Sequence, residues 1–400
     1  MKKEIVRDSL IFIILIGIVS LLSDMTHEGA KSIYGQFLNI VGASPKVISF
    51  VGGLGEFLGS ALIFVTSIIA SKTKKYWTMT IIGYTINLFC IPMLALTTEN
   101  GWIYAISLIL LERVGKAIRK PAKNTLVSFC SKNLGEGKSF ALLECLDQIG
   151  AFIGPLILTL VLYLKGTTNL FDSYKFCFLI LIIPAILTLC ILLFARVKYP
   201  TPETFEDDKE EDKSNKLVIS KSFKYYLVAI SLVAFSFIDF PLITYHVASL
   251  DIINEKNLPM LYSLAMLVDS ISALIFGFLF DKIGFKTLVL STLLSMTFPL
   301  FIFNFNNSVL IIIGICLWGV GMGAQESILK SSVAKLSTKE TRSKCFGLFE
   351  GIFGLSWFIG SFVLGFIYEA SMIAFIIIPI ILQICAMIGY ILSIRNYSKA

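Results

Sequence analysis

Apolar runs of about 20 residues recur along the whole chain, and this recurrence constrains the fold more than any other feature. A helix of that length rises about 30 Å, which is the thickness of the hydrocarbon core of a bilayer. Hydrophobic residues make up 56% of the 400 residues and charged residues only 15%, which no single soluble core could accommodate. We therefore predict an all-α membrane protein with twelve transmembrane helices. The predicted spans are roughly 9–36, 46–70, 77–97, 102–128, 138–164, 173–195, 223–247, 258–280, 286–304, 308–331, 342–366 and 372–394.

Basic residues lie mainly at one set of span ends. With both termini on the cytoplasmic side, about 27 of the 34 Lys and Arg residues fall at cytoplasmic ends or loops, and about five on the other side. The pattern predicts a multi-pass protein of the inner or plasma membrane with cytoplasmic N and C termini. The formal net charge of +7 is then an orientation signal, and we expect no nucleic-acid partner.

A polar segment divides the chain into two similar halves. Residues 197–222 include the acidic run Glu206–Asp212, which is typical of a solvated linker. At a constant offset along the sequence, Gly115, Glu144 and Gly154 match Gly321, Glu350 and Gly360, which indicates an internal duplication. We predict an N-terminal six-helix bundle over 1–196, a cytoplasmic linker over 197–222 and a pseudo-symmetric six-helix bundle over 223–400.

Ionisable side chains inside the spans indicate where a hydrated interior is expected. A charge at the bilayer centre costs about 2.5 kcal/mol or more, so such a residue tends to face protein or water. Spans three, six, nine and twelve carry none in their interiors, so the other eight are expected to surround a central pathway. A buried ion pair remains the alternative for each residue. The candidate substrate-binding or proton-coupling residues are Asp24, Glu28, Arg113, Lys116, Asp147, Asp239, Asp269 and Glu326.

Mid-span carboxylates outnumber the mid-span cations Arg113 and Lys116. They cannot all be ionised and unpaired in a low-dielectric site, so some are expected to be protonated near neutral pH, as a proton-coupling site requires. A contact of Asp24 or Glu28 with Arg113 would lower the cost of burying both charges. The two histidines are expected to be hydrogen-bonded or interfacial, and we expect no metal or cofactor.

The loop after span eight carries a family signature. The segment Gly277-Phe-Leu-Phe-Asp281-Lys282-Ile-Gly284-Phe-Lys286 resembles the G-x-x-x-D-[RK]-x-G-[RK]-[RK] signature of the major facilitator superfamily and lacks one basic residue of it. The equivalent after span two keeps Lys72 and its basic neighbours but has Ser71 in place of the aspartate. The resemblance covers nearly the whole chain.

Two further segments resemble parts of the same superfamily. Gly150, Gly154 and Pro155 in span five resemble the core of its antiporter signature, although a small-residue helix contact with a proline kink explains them equally well. Span four, with Arg113, resembles the arginine-bearing fourth span. The resemblance implies two bundles that rock about a midplane site. The residues it assigns to gating are Lys72, Gly150, Gly154, Pro155, Gly277, Asp281, Lys282 and Gly284, to which we add the repeat pair Glu144 and Glu350.

The resulting functional prediction is a secondary active transporter that moves a small solute by alternating access. We expect a monomer among membrane lipids, with protons as the coupling ion and a slight preference for efflux by antiport. A proton-coupled importer and a uniporter remain open, as does a passive channel. A membrane-embedded enzyme acting on lipid is the alternative from another class, but no nucleophile-elbow, zinc-binding or phosphate-binding sequence is present.

Overall fold

The computed structural model describes residues 2–131, 136–166, 169–202, 220–337 and 342–397. Regular structure in this part of the chain is helical, which confirms the predicted all-α membrane protein. The helices are α1 (Lys2–Ile40), α2 (Pro45–Thr73), α3 (Tyr76–Met93), α4 (Trp102–Ser131), α5 (Glu136–Lys165), α6 (Leu170–Ile180), α7 (Ile182–Lys198), α8 (Lys221–Ser236), α9 (Phe240–Ser249), α10 (Leu258–Ile283), α11 (Lys286–Ser295), α12 (Phe298–Phe303), α13 (Ser308–Ala324), α14 (Lys330–Leu336), α15 (Arg342–Ala370) and α16 (Met372–Tyr397).

Eleven helical segments among the described residues are long and apolar enough to cross a membrane. The predicted fourth span is α4, whose 30 residues are long enough but carry more charge than the other spans. Several predicted spans consist of two consecutive helices: α6 with α7, α8 with α9, and α11 with α12. The chain therefore has the helices for the predicted twelve crossings, and α4 is the one distinguished by its charge.

The seventh predicted span is interrupted at its centre. Helix α8 ends at Ser236, the backbone is extended at Phe237 and Asp239, and α9 begins at Phe240 with Pro241 in its first turn. Proline fits the first turn of a helix because its missing N–H would have no intrahelical partner there. The interruption places Asp239 at a helix end in the middle of a span.

The chain groups into two compact units. The first unit comprises Met1–Gly42 with Leu58–Glu210, and the second comprises Ala43–Phe57 with Glu211–Ala400. The first part of α2 thus groups with the second unit. Most of the predicted linker, including its acidic run, lies outside the described residues. Each unit has its own core of buried aromatic and aliphatic side chains, around Phe12 and Tyr84 in the first and Phe223 and Tyr226 in the second.

The internal repeat recurs as the same helix contact in each unit. A Cβ atom added at Gly154 of α5 would lie 2.2 Å from the carbonyl oxygen of Met25 on α1. A Cβ atom added at the matching Gly360 of α15 would lie 2.0 Å from the carbonyl oxygen of Phe235 on α8. Only glycine permits these approaches, because any side chain would overlap the neighbouring backbone. The matched glycines therefore hold the fifth helix of each bundle against its first.

Candidate functional site

Two polar stripes face each other in the first unit. On each helix the residues are spaced by four, three and four positions, which places them on one face of a helix with 3.6 residues per turn. The α1 stripe consists of Ser20, Asp24, His27 and Lys31, and the α4 stripe of Glu112, Lys116, Arg119 and Lys123.

Close helix packing fixes the α4 stripe against its neighbours. A Cβ atom at Gly83 of α3 would lie 2.6 Å from the backbone nitrogen of Arg119, and one at Gly115 of α4 would lie 2.5 Å from that of Asn87. Helices α3 and α4 are therefore in backbone contact at this level. Since Gly154 joins α1 to α5 in the same way, both stripes sit on closely packed helix pairs.

The stripes meet through a ladder of polar contacts. Lys123 Nζ donates a hydrogen bond to Ser20 Oγ at 2.7 Å, and an Arg119 guanidinium nitrogen lies 3.7 Å from Asp24 Oδ1. The Lys123 ammonium also lies 3.9 Å from Asp147 Oδ2 on α5. The residue number rises on α1 as it falls on α4, so the two helices run antiparallel along the ladder.

Glu112 is the most deeply buried carboxylate of the ladder. Its side chain is fully buried and accepts a short hydrogen bond from the Asn87 side-chain amide. His27 Nδ1 lies 2.8 Å from Glu112 Oε1, and Arg113 Nε lies 3.5 Å from Oε2. A buried carboxylate needs such partners, because an unpaired charge in an apolar interior costs several kcal/mol.

Asp24 was expected to contact Arg113, but it lies beside a different arginine. The structure places Asp24 beside Arg119, whereas Arg113 is buried and lies beside Glu112. Glu28 lies 3.7 Å from the Lys31 ammonium on its own helix. Arg119 is not among the site residues predicted from the sequence, although it lies one helical turn beyond Lys116 on the same face of α4.

Burial varies along the ladder. The side chains of Glu112 and Arg119 are 0% and 4% exposed, whereas those of Asp24 and Asp147 are 20% and 22% exposed. Asp24 and Asp147 therefore combine an ion-pair partner with an accessible edge. One side of each carboxylate is therefore open, while a cation lies on the other side.

In the second unit, Asp239 is held by neutral donors. Trp357 Nε1 and Ser361 Oγ donate hydrogen bonds to its two carboxylate oxygens, each at 2.8 Å. A Cβ atom at Gly52 would lie 2.6 Å from Asp239 Oδ2, so α2 approaches this carboxylate closely. The residue at the break between α8 and α9 thus joins α15 and the first part of α2.

The other predicted site residues of the second unit lie apart from this contact. Asp269 of α10 is buried, and its carbonyl oxygen would lie 2.3 Å from a Cβ atom at Gly323. Glu326 is exposed and lies in the π-helical turn Gln325–Leu329. Its neighbour Gln325 is buried and occupies the repeat position of Arg119, so a neutral amide stands where the first unit has a cation.

The signature loop has a backbone geometry at Gly284 that favours glycine. Gly284 follows α10 with a φ of 63°, a left-handed value that favours glycine. Asp281 and Lys282 are exposed in the last turn of α10, and Lys72 is exposed in the last turn of α2. A Cβ atom at Gly277 would meet nothing within 4 Å, so close packing does not require a glycine there.

The remaining gating candidates lie on α5 and α15. Glu144 is exposed, and the Gln148 side-chain amide lies 3.4 Å from it. Glu350 is half-buried on α15. Pro155 lies inside α5, where its carbonyl accepts a hydrogen bond from Thr159 Oγ1 at 3.1 Å. Gly150 and Gly154 make the small-residue helix contact that was the alternative to an antiporter signature.

Among the described residues, no cluster of three or more His, Cys, Asp or Glu side chains could hold a metal ion.

Comparisons with known proteins place this geometry in a family. The family model for the Major Facilitator Superfamily matches residues 9–252 and 252–400. An uncharacterized protein of Mycobacterium tuberculosis is 32% identical over 381 residues, covering 94% of this chain and 91% of that protein. An uncharacterized MFS-type transporter of Methanocaldococcus jannaschii is 28% identical over 374 residues, covering 89% of this chain and 88% of that protein.

Solved structures of transporters have the same fold. A bacterial homolog of the human lysosomal transporter Spinster, in an inward-facing and unoccupied conformation, superposes with a TM-score of 0.75 at 12% identity, covering 98% of each chain. The nucleoside transporter NupG superposes with a TM-score of 0.70 at 14% identity, covering 96% of this chain and 99% of that one. At these identities the likeness concerns the fold alone.

Proposed function

This chain belongs to the major facilitator superfamily of membrane transporters, and we propose that it is a proton-coupled secondary transporter that moves a small solute by alternating access. The ladder between α1 and α4 is the observation that carries the proposal. Three ion pairs or hydrogen-bonded contacts join the helices in mid-span, where isolated charges are costly and are usually functional.

Asp24 is the proposed coupling carboxylate. Its Oδ1 atom lies 3.7 Å from the Arg119 guanidinium, which is longer than a hydrogen bond, and its edge is accessible. Protonation would remove the negative charge and so weaken the attraction between α1 and α4. Loss of the proton would restore it, and the ladder would then have two electrostatic states.

The helix packing supports a change that involves whole helices. Backbone contact joins α1 to α5 at Gly154 and α3 to α4 at Gly115, so neither stripe can shift alone. A change in the Asp24–Arg119 pair therefore acts on two helix pairs. Such discrete rearrangement of packed helices is how small local changes are amplified in proteins.

The finer features of the proposal follow from the sequence. We place both termini on the cytoplasmic side of the inner or plasma membrane, because the basic residues concentrate at the corresponding span ends. We propose a monomer that exports its solute by exchange with protons. Import with protons and uniport are the outcomes that a transport assay distinguishes.

The experiment uses purified protein in liposomes that enclose a pH-sensitive dye. A panel of solutes is added, and the proton flux evoked by each solute is recorded for the wild type, Asp24→Asn and Asp147→Asn. We expect at least one solute to evoke flux in the wild type and none to do so in Asp24→Asn. Glu99→Gln is the matched control, because this exposed carboxylate lies between α3 and α4, outside the ladder and the gating candidates, and its loss should leave the proton flux unchanged.

The two alternatives give different results. Solute uptake that saturates but ignores the pH gradient would indicate uniport and assign Asp24 a structural role. Flux that rises linearly with solute concentration would indicate a channel. Either result would overturn proton coupling.

A further inference from the structure

Each carboxylate of the ladder region has a cation beside it. Asp24 lies near Arg119, Glu28 near Lys31, Glu112 near Arg113, and Asp147 near Lys123, at distances of 3.5 to 3.9 Å. Four carboxylates thus have four different cations as partners. Lys116 is a fifth cation in the same region.

Lys116 makes no ion pair with any described residue. It is half-buried on α4, on the face that also carries Glu112 and Arg119. It stands between Glu112 and Arg119 on the stripe of α4 that contacts α1, so it lies on the side of α4 that faces α1. A half-buried lysine in mid-span that has no described carboxylate in ion-pair contact is costly unless water or a ligand compensates it.

The register of the ladder explains why Lys116 is left over. Ser20 faces Lys123 and Asp24 faces Arg119, so one further step along the antiparallel helices brings His27 level with Lys116. A histidine stands where a carboxylate would complete the series of pairs. Neutral histidine cannot compensate an ammonium, and His27 is already engaged by Glu112.

We propose that Lys116 binds an anionic group of the transported solute, a carboxylate or a phosphate. The inference rests on the proposed transport function and names its substrate class. The solute's anion would complete the missing charge pair at the level of His27. Lysine suits either group, since its ammonium has three donors and interacts as a point charge. Binding would then neutralise Lys116, the one excess cation of the ladder. A solute with a protonated amine would be repelled by the Lys116 ammonium.

The test measures ligand-induced stabilisation of the purified protein. The probes are benzoate, lactate and inorganic phosphate, with benzamide and lactamide as uncharged counterparts and benzylamine as a cation. We expect at least one anion to raise the melting temperature in a saturable way, while its amide and the amine do not. Phosphate and the two carboxylates form separate arms, so the result also identifies the anion.

Variants of Lys116 test whether this residue causes the anion-induced stabilisation. Lys116→Gln should weaken binding of the effective anion on the order of tenfold or more, because a charge-assisted contact is lost. Lys116→Arg should retain most of the affinity, since it keeps the positive charge. Lys120→Gln is the matched control, because this lysine lies one turn from Lys116 on the same helix but is exposed where Lys116 is half-buried, and the variant should bind like the wild type.

Several outcomes would overturn the proposal. It fails if none of the anions stabilises the wild type, if benzylamine or the amides stabilise it instead, or if Lys116→Gln binds the anion as tightly as Lys120→Gln does. The outcome is separable from that of proton coupling, since binding is measured without a pH gradient. Anion binding through Lys116 without proton flux would contradict coupling alone, whereas flux evoked by amines in the wild type would contradict the anion site alone.

Discussion

Gly154→Ala tests whether backbone contact between α1 and α5 holds the candidate site together. The added Cβ atom would lie 2.2 Å from the Met25 carbonyl oxygen, which is over 1 Å short of ordinary contact, and 3.1 Å from the Gly29 backbone nitrogen. Backbone on the facing helix cannot rotate away as a side chain can, so the helices must separate. Overpacking of this kind costs about 1–3 kcal/mol. We expect a lower melting temperature and weaker proton flux, because Met25 adjoins Asp24.

Gly59→Ala is the matched control for this prediction. Gly59 lies in the interior of α2, and a Cβ atom there would meet nothing within 4 Å. Replacing a helical glycine in open space should stabilise by about 0.5–1 kcal/mol, since alanine loses less conformational entropy on folding. The measurement is the melting temperature of both purified variants. The reasoning is refuted if Gly154→Ala melts at or above the temperature of Gly59→Ala.

Three further variants test individual contacts. Asp24→Asn should destabilise the protein by about 3 kcal/mol, because it leaves the Arg119 guanidinium buried without its carboxylate. Adding Arg119→Gln should recover most of this loss. Equal melting temperatures for the single and double variants would contradict the Asp24–Arg119 pair. Trp357→Phe should cost about 1.5–3 kcal/mol by removing one donor to the Asp239 carboxylate, and an unchanged melting temperature would contradict that hydrogen bond. Glu112→Ala should lower the melting temperature more than Glu112→Gln, since glutamine keeps an acceptor for the buried amide partner, and the reverse order would be inconsistent with the contacts described.

The sequence predicts much of the fold because helix length and hydropathy are local properties. Runs of apolar residues locate the spans, and the matched Gly154 and Gly360 indicate the duplication. The interruption at Asp239 was not predicted. An apolar run gives no sign of a break when the proline that begins the next helix, Pro241, is itself compatible with a kinked span.

The site was predicted in its residue types but not in its pairs. Asp24 and Arg113 lie on the helices α1 and α4, yet which cation stands opposite which carboxylate depends on the register of α1 against α4. That register depends on tertiary packing between residues distant in sequence, including the contacts of α4 with α3 at Gly83 and Gly115 and of α1 with α5 at Gly154. The spacing of Lys116, Arg119 and Lys123 on one face was visible in the sequence and would have extended the prediction along α4.

The central claim is that the Asp24–Arg119 pair couples protons to solute movement. The most direct measurement compares two assays on the double variant Asp24→Asn with Arg119→Gln, in liposomes and with a solute that evokes flux in the wild type. One assay is solute exchange at equal pH on both sides, and the other is solute movement driven by a pH gradient. The account predicts that exchange persists while the pH gradient no longer drives movement. Gradient-driven movement at the wild-type rate in this variant would contradict it.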